Sequence, residues 1–394
     1  MDFNPYDPTL HQDPYPTYRR LRDEFPLHYN PKLNFWTLSR YADVFEALQK
    51  PDLYCSARGV AVGIEGPTDA VAAVPLLIML DRPRHTQLRA LVSRAFTPRR
   101  IAALEPRIRT IARDLMDAFW EQPEADLVRD FSGPLPTTVI AELLGIPGED
   151  RKWFKQKSTE ISQFDPTNPG SIHPASNEAG PAAELAQYLT AVLEERRKQP
   201  RDDLLSALLE AEIDGEMLTP GELLGFSFLL LVAGNETTTN LISNAAILLD
   251  RHPEQRQKLL DDPSLIGVAV EEFLRFDPPV QGLARTTTRE VSIHDVSIPE
   301  NSKVLLLFAS ANRDERRIAD PDRFDVTREP NPHLGFGFGT HFCLGASLAR
   351  LEARVAYEEL LARLPHFHLK NTRVDRLCSG PIRGALRLPI LTGR

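Results

Sequence analysis

In the run Phe336-Gly-Phe-Gly-Thr-His-Phe-Cys-Leu-Gly345, three glycines flank a cysteine that stands just before a long amphipathic stretch. Glycine lets the main chain turn sharply and approach a flat ligand, while a helix N-terminus presents unpaired N–H groups and positive potential to a thiolate. Such a setting should lower the thiol pKa and prepare Cys343 to ligate a metal. The plainer alternative is an inert core cysteine in a glycine-containing turn, the usual fate of a lone cysteine. The other two cysteines, Cys55 and Cys378, make no C-x-x-C pair, so neither a disulfide framework nor a structural zinc site is expected.

Other groupings say less when taken singly. Glu272-Phe-Leu-Arg275 has a spacing that any exposed helix can carry. Ala233-Gly-Asn-Glu-Thr237 sets an acid beside an alcohol, which could feed protons into a dry pocket or merely form a polar helix face. His85-Thr-Gln-Leu-Arg89 and Pro321-Asp-Arg-Phe324 could be surface segments.

Together and in this order, these groups resemble the cytochrome P450 family. The cysteine run matches the family's haem-binding signature F-x-x-G-x-H-x-C-x-G at every defined position, and A-G-x-D/E-T, E-x-x-R, P-x-R-F and H-T-x-L-R are also present. The resemblance implies a mainly α fold with small β-sheets, the triangular helical domain that encloses haem b. Residues 1–394 should form one such domain, with a β-rich part mainly at 25–60 and 280–310 plus C-terminal strands.

On that resemblance Cys343 is the iron ligand, and Phe336, Gly337 and Gly345 belong to the haem-binding loop. Ala233 and Gly234 lie on the oxygen side, with Gly234 leaving room beside the iron. Glu236 and Thr237 relay protons to dioxygen, although Glu236 stands where other members carry Asp, one methylene shorter. His85, Arg89, Arg285 and His341 hold the two propionates, a donor set suited to carboxylates. Glu272, Arg275 and Arg323 form a buried network that organises the cysteine loop.

The activity implied is a mono-oxygenase that inserts one atom of O2 into an apolar small molecule, by hydroxylation or epoxidation. A thiolate ligand favours oxygen cleavage over oxygen carriage. Electrons should come from an acidic ferredoxin and its reductase, because the chain has no G-x-G-x-x-G fingerprint, flavin segment or four-cysteine iron–sulfur pattern. A non-turnover haem-thiolate sensor and a peroxide-driven peroxygenase are the competing readings; the retained Glu236–Thr237 pair speaks against both. The apolar stretch 60–80 falls where the family has a variable loop over the haem. Candidate lining residues are Val62, Met79, Leu230, Ala233, Gly234, Gln281, Leu283 and Ile382.

Stepping outward to the elements, helical periodicity dominates and is punctuated by many of the 33 prolines. Helices are predicted over 15–25, 41–49, 99–121, 183–198, 219–251, 265–276 and 344–364, with strands near 34–38, 291–298 and 303–308. The long helix should open with Thr219 as N-cap, Pro220 next and Glu222 completing a capping box, and should close at Pro253. Segment 164–181, rich in Pro, Gly, Ser and Asn, reads as a loop that could be a lid or a plain connection.

With 394 residues, 42% hydrophobic and 26% charged, a packed core able to enclose a cofactor is expected. A net charge of −9 argues against nucleic acid as a partner, yet 82–113 carries nine arginines against Glu105, and 350–394 carries nine Lys or Arg against four acids. These basic segments would suit an acidic redox partner. The first residues have no basic region followed by an apolar run, and 223–233 is too short to span a bilayer, so a cytoplasmic monomer with no membrane contact is expected.

Overall fold

The computed structural model describes residues 1–63, 74–94, 96–162, 180–213, 215–377 and 379–393. The expected loop at 164–181 apart from Gly180 and Pro181, residues 64–73 of the apolar stretch 60–80, and Cys378 therefore lie outside the described residues.

The longest helix, Pro220–Arg251, is the axis of the structure. Its capping box forms as the sequence predicts: Glu222 N–H donates to Thr219 Oγ1, and the Thr219 N–H donates back to Glu222 Oε2 at 3.0 Å. The helix buries residues around most of its circumference, as one that runs through a core must. Leu231, Leu241, Ile242, Ile247 and Leu249 join the main core, together with Phe131 and Leu135 on one side and Val355, Tyr357 and Leu360 on the other. The cysteine helix, Ala346–Arg363, packs alongside, and its Tyr357 hydroxyl donates to the Ile242 carbonyl across the gap.

A five-stranded sheet forms the second layer in the order Leu27–Asn30, Phe35–Leu38, Lys303–Leu306, Leu283–Thr287, Tyr54–Cys55. Strand Lys303–Leu306 runs parallel to Phe35–Leu38 and antiparallel to Leu283–Thr287, setting Val304 between Trp36 and Arg285. Alternation along this strand buries both faces: Val304 and Leu306 enter a cluster with Leu38, Val44 and Leu334, while Leu305 enters another with Phe3, Tyr18 and Phe35. Leu334 brings the first cluster directly to the cysteine loop.

Two predicted elements differ. The expected helix at 99–121 is broken into Pro98–Ala102 and Glu105–Asp117, because the Pro106 ring would collide with the Ala102 carbonyl in a continuous helix. The expected strand at 291–298 is a hairpin, Val291–Ile293 against Val296–Ile298, turned by His294 and Asp295 at φ 50° and 59°. Positive φ at both central residues matches the right-handed strand twist.

Candidate haem-thiolate site

The cysteine loop closes on itself. Gly337 N–H donates to Leu334 O, Phe342 N–H to Gly339 O, and Cys343 N–H to Phe336 O at 3.0 Å. Gly337 and Gly339 sit at φ 67° and 69°, and a Cβ on Gly339 would stand 2.8 Å from the Leu48 carbonyl oxygen. Gly345 differs, since its φ is −86° and a Cβ there would meet nothing within 4 Å. Burial pushes the Cys343 thiol up, against the lowering expected of a helix N-terminus; the Gly345 N–H and the charges of Arg89 and Arg350 act in the lowering direction without prevailing. A ligated cation would override that balance and deprotonate the thiol.

His85, Arg89, Arg285 and His341 come together beside this loop. The His85 and His341 rings lie 4.2 Å apart between centroids, and Arg89 Nη2 donates to Phe342 O at 2.6 Å. Burial, then the charges of Arg285, His85 and Arg89, push His341 down to about 3. Burial pushes Arg285 down to about 10, against the opposing charge of Asp81. Arg285 Nη1 donates to the Ala284 carbonyl, and among the described residues neither nitrogen of the buried His85 ring has a hydrogen-bond partner. Two histidines and two arginines crowded together, with the His85 ring unsatisfied, make a donor set suited to carboxylates, because buried polar groups and charges are stable only when satisfied. The donor set thus fits the two propionates of a haem lying against Cys343. Ser56 Oγ, 3.2 Å from His341 Nε2, fixes the second imidazole and was not expected from the sequence.

Above the loop, the otherwise buried long helix has an accessible face at Leu230, Ala233, Gly234 and Thr237, the i, i+3, i+4, i+7 pattern of one helix side. Thr237 Oγ1 donates to Ala233 O at 2.7 Å. Gly234 serves a different neighbour from the one expected: a Cβ there would point at Ile140 Cδ1, 3.3 Å away, so its smallness admits helix Pro134–Leu143. Glu236 is buried and turned off the accessible face. Its Oε2 accepts from Lys155 Nζ at 2.9 Å and from Thr159 Oγ1 at 3.3 Å, both on helix Arg151–Ser162. No sequence signal points to Lys155, 81 residues away in the chain.

Beneath the loop, Arg275 grips both oxygens of Glu272 at 2.7 and 2.8 Å with both side chains fully buried, and donates to the Asn312, Pro321 and Arg323 carbonyls. Asn312 Oδ1 in turn accepts from Leu334 N–H, so the pair bears on the start of the cysteine loop. Arg323 is not the third charged member. Its side chain is 62% exposed and pairs with Asp325, and only its carbonyl enters the network. Arg328, 3.4 Å from Glu272, and Asn331 take that place because the chain turns back after Arg323. A second clamp was missed: Glu271 binds His333 at 3.0 Å and Arg350 at 2.7 Å. Although burial raises its pKa, these two bonds pull Glu271 down to about 2. The doubled acid Glu271-Glu272 was the available signal.

Among the candidate pocket residues, Met79, Leu230, Ala233, Leu283 and Ile382 keep accessible surface. Val62 does not; it is 2% exposed and packed in the cluster with Phe3 and Tyr18. Gln281 is equally buried, with its amide satisfied by Pro278 O and the Tyr18 hydroxyl. Many arginines of the basic segments are spent internally: Arg84 on Glu222, Arg107 on Glu142, Arg109 on Glu105, Glu358 and Glu359, and Arg354 on Glu105 and Glu358. Arg82, Arg94, Arg99 and Arg100 are exposed and make no ion pair among the described residues.

A protein-family model described as Cytochrome P450 matches residues 17–384. Vitamin D(3) 25-hydroxylase of Pseudonocardia autotrophica is 42% identical over 392 residues, covering 98% of this chain and 95% of that protein. Cytochrome P450 109 of Bacillus spizizenii is 40% identical over 381 residues, covering 96% and 91%. Among solved structures, cytochrome P450 CYP109Q5 from Chondromyces apiculatus superposes with TM-score 0.87 at 41% identity, covering 99% of this chain and 98% of that one. CYP109E1 from Bacillus megaterium, solved in complex with testosterone, gives TM-score 0.90 at 33% identity, covering 98% and 99%.

Proposed function

The chain belongs to the cytochrome P450 family of haem mono-oxygenases, and from that premise we propose that it inserts one atom of O2 into an apolar small molecule, using haem b held by Cys343 and electrons from an acidic ferredoxin and its reductase. The observation that carries this reading is the convergence of His85, Arg89, Arg285 and His341, with the His85 ring unpartnered among the described residues, beside the Cys343 loop. Haem, when bound through a thiolate, supplies the oxygen chemistry.

The protein's own groups have distinct roles in this proposal. Cys343 Sγ would ligate the iron. The four donors would fix the propionates and so the tilt of the ring. Ala233 and Thr237 present the accessible face of the long helix, and the Thr237 hydroxyl, bonded to Ala233 O, keeps lone pairs free to accept a proton and pass it on. Glu236 holds its carboxylate beside the Lys155 ammonium; once that ion pair opens it would take up a proton from Lys155 or solvent and pass it inward. The aliphatic Met79, Leu230, Leu283 and Ile382 favour an apolar substrate. Both the vitamin D(3) hydroxylase and the testosterone-bound structure are consistent with a bulky alicyclic compound. No described helix is long and apolar enough to cross a membrane; a cytoplasmic setting remains part of the proposal.

The test is the absorption spectrum of the dithionite-reduced protein under carbon monoxide. A Soret band strongly red-shifted from that of histidine-ligated haem is expected. A histidine-like band, or no haem, overturns the assignment of Cys343.

A further inference from the structure

A cavity of about 640 Å³ lies away from the cysteine loop, between the N-terminal segment at His11 and Gln12 and the stretch that includes Lys370, Arg373, Asp375 and Arg376. A smaller recess of about 160 Å³ adjoins it, sharing Arg373 and Asp375 and adding Arg387. The two recesses are thus lined between them by four cationic residues and one acidic one, in a protein whose net charge is −9. Lys370 already holds Glu124 at 2.6 Å, and Arg387 leans on Asp126 at 3.5 Å. Arg373 and Arg376 make no ion pair among the described residues.

Arg376 is the anomalous member. It is only 8% exposed, and among the described residues its side chain makes one hydrogen bond, from Nη1 to the neutral Asn244 Oδ1 at 2.9 Å. Asp277, the buried acid whose charge favours its ionised form, is already engaged by Arg383 at 2.9 Å and by the Tyr15 hydroxyl at 2.6 Å. Burial, reinforced by Arg383, pushes Arg376 down to about 10. A buried guanidinium that must share its nearest acid with another arginine is costly, and its planar fork is matched by carboxylate or phosphate oxygens.

We propose that this cavity binds a small organic anion, a phosphate or polycarboxylate, seated between Arg376 and Arg373. The volume is in the range of small-molecule sites. Its occupant would be felt in the long helix through Asn244, and beside Ile382 through the neighbouring Arg383, which also donates to the His11 carbonyl.

The experiment is calorimetric titration of the holoenzyme, at constant ionic strength, with inorganic pyrophosphate and separately with citrate. Saturable binding of one anion per chain is expected, weakened at least tenfold by Arg373→Glu and unchanged by Arg289→Glu, an exposed control. Binding of pyrophosphate alone assigns the phosphate class, and binding of citrate alone the carboxylate class. Absence of saturable binding to either, or affinity that Arg373→Glu leaves intact, overturns the proposal. Haem content and the carbon monoxide spectrum report on the catalytic centre separately, so failure here and failure of the oxygenase reading are distinguishable.

Discussion

Glu236 and Thr237 are consecutive, yet about 100° of helical rotation separates their side chains, and the structure sends them to different neighbours. Thr237 stays on the accessible face, bonded to Ala233 O, while Glu236 is drawn to Lys155 and Thr159. In the relay proposed above the Thr237 hydroxyl serves the oxygen-handling step, so Thr237→Ala should keep consuming reducing equivalents but release much of them as peroxide. Product formed per NAD(P)H oxidised is the measurement, and full coupling would remove Thr237 from the relay. Glu236→Gln keeps the shape and loses the proton, so coupled turnover should fall by about 10²- to 10⁴-fold. A loss under threefold would leave Glu236 as a helix-pairing residue for Lys155.

At the scale of elements, the cysteine loop depends on what lies beneath it. Removing one partner of a buried ion pair strands the other charge, so Arg275→Ala should cost about 3–5 kcal/mol. Arg323→Ala, removing an exposed side chain, should stay within about 0.5 kcal/mol. Urea unfolding of the two variants checks the contrast, and equal losses would restore Arg323 to the network. The cysteine helix carries a second liability in Glu352, which is fully buried with Oε2 unpartnered. Burial pushes its carboxyl up to about 8. The folded chain then keeps a proton that the unfolded chain releases near pH 4.3, so this residue's contribution is fully present below about pH 4.3 and is lost as pH rises toward 8. Glu352→Gln should therefore be more stable than the parent at pH 8 and indistinguishable from it near pH 4. A pH-independent difference in melting temperature would show that Glu352 is satisfied by a partner.

For the whole molecule, exposed arginines in a chain of net charge −9 would suit the acidic redox partner proposed above. Arg82, Arg94, Arg99 and Arg100 precede or follow the helix that carries His85 and Arg89, and Arg82 reaches the loop itself at Thr340. Exposed charges act mainly on encounter rate and are screened over about 10 Å at 0.1 M salt. Reduction by an acidic ferredoxin should slow as ionic strength rises, and Arg99→Glu should slow it at low salt while leaving the carbon monoxide spectrum unchanged. A rate indifferent to both would end the electrostatic case for that partner.

The sequence alone determined the local elements. The glycines around Cys343, the Thr219–Glu222 capping box and the apolar run of the long helix are each legible because backbone conformation and helix initiation depend on neighbours a few residues apart. It also pointed to His85, Arg89, Arg285 and His341, though only through resemblance, since nothing local says that residues 85 and 341 bring their rings within 4.2 Å. Tertiary structure decided the rest. It exposed Arg323 and brought Arg328 to Glu272, turned Glu236 toward Lys155, buried Val62 and Gln281 in the core, and left Arg376 to share Asp277 with Arg383. Each of these depends on which distant side chain shares a low-dielectric space, and burial and charge pairing across tens or hundreds of residues leave no periodicity in the chain for a reader to find.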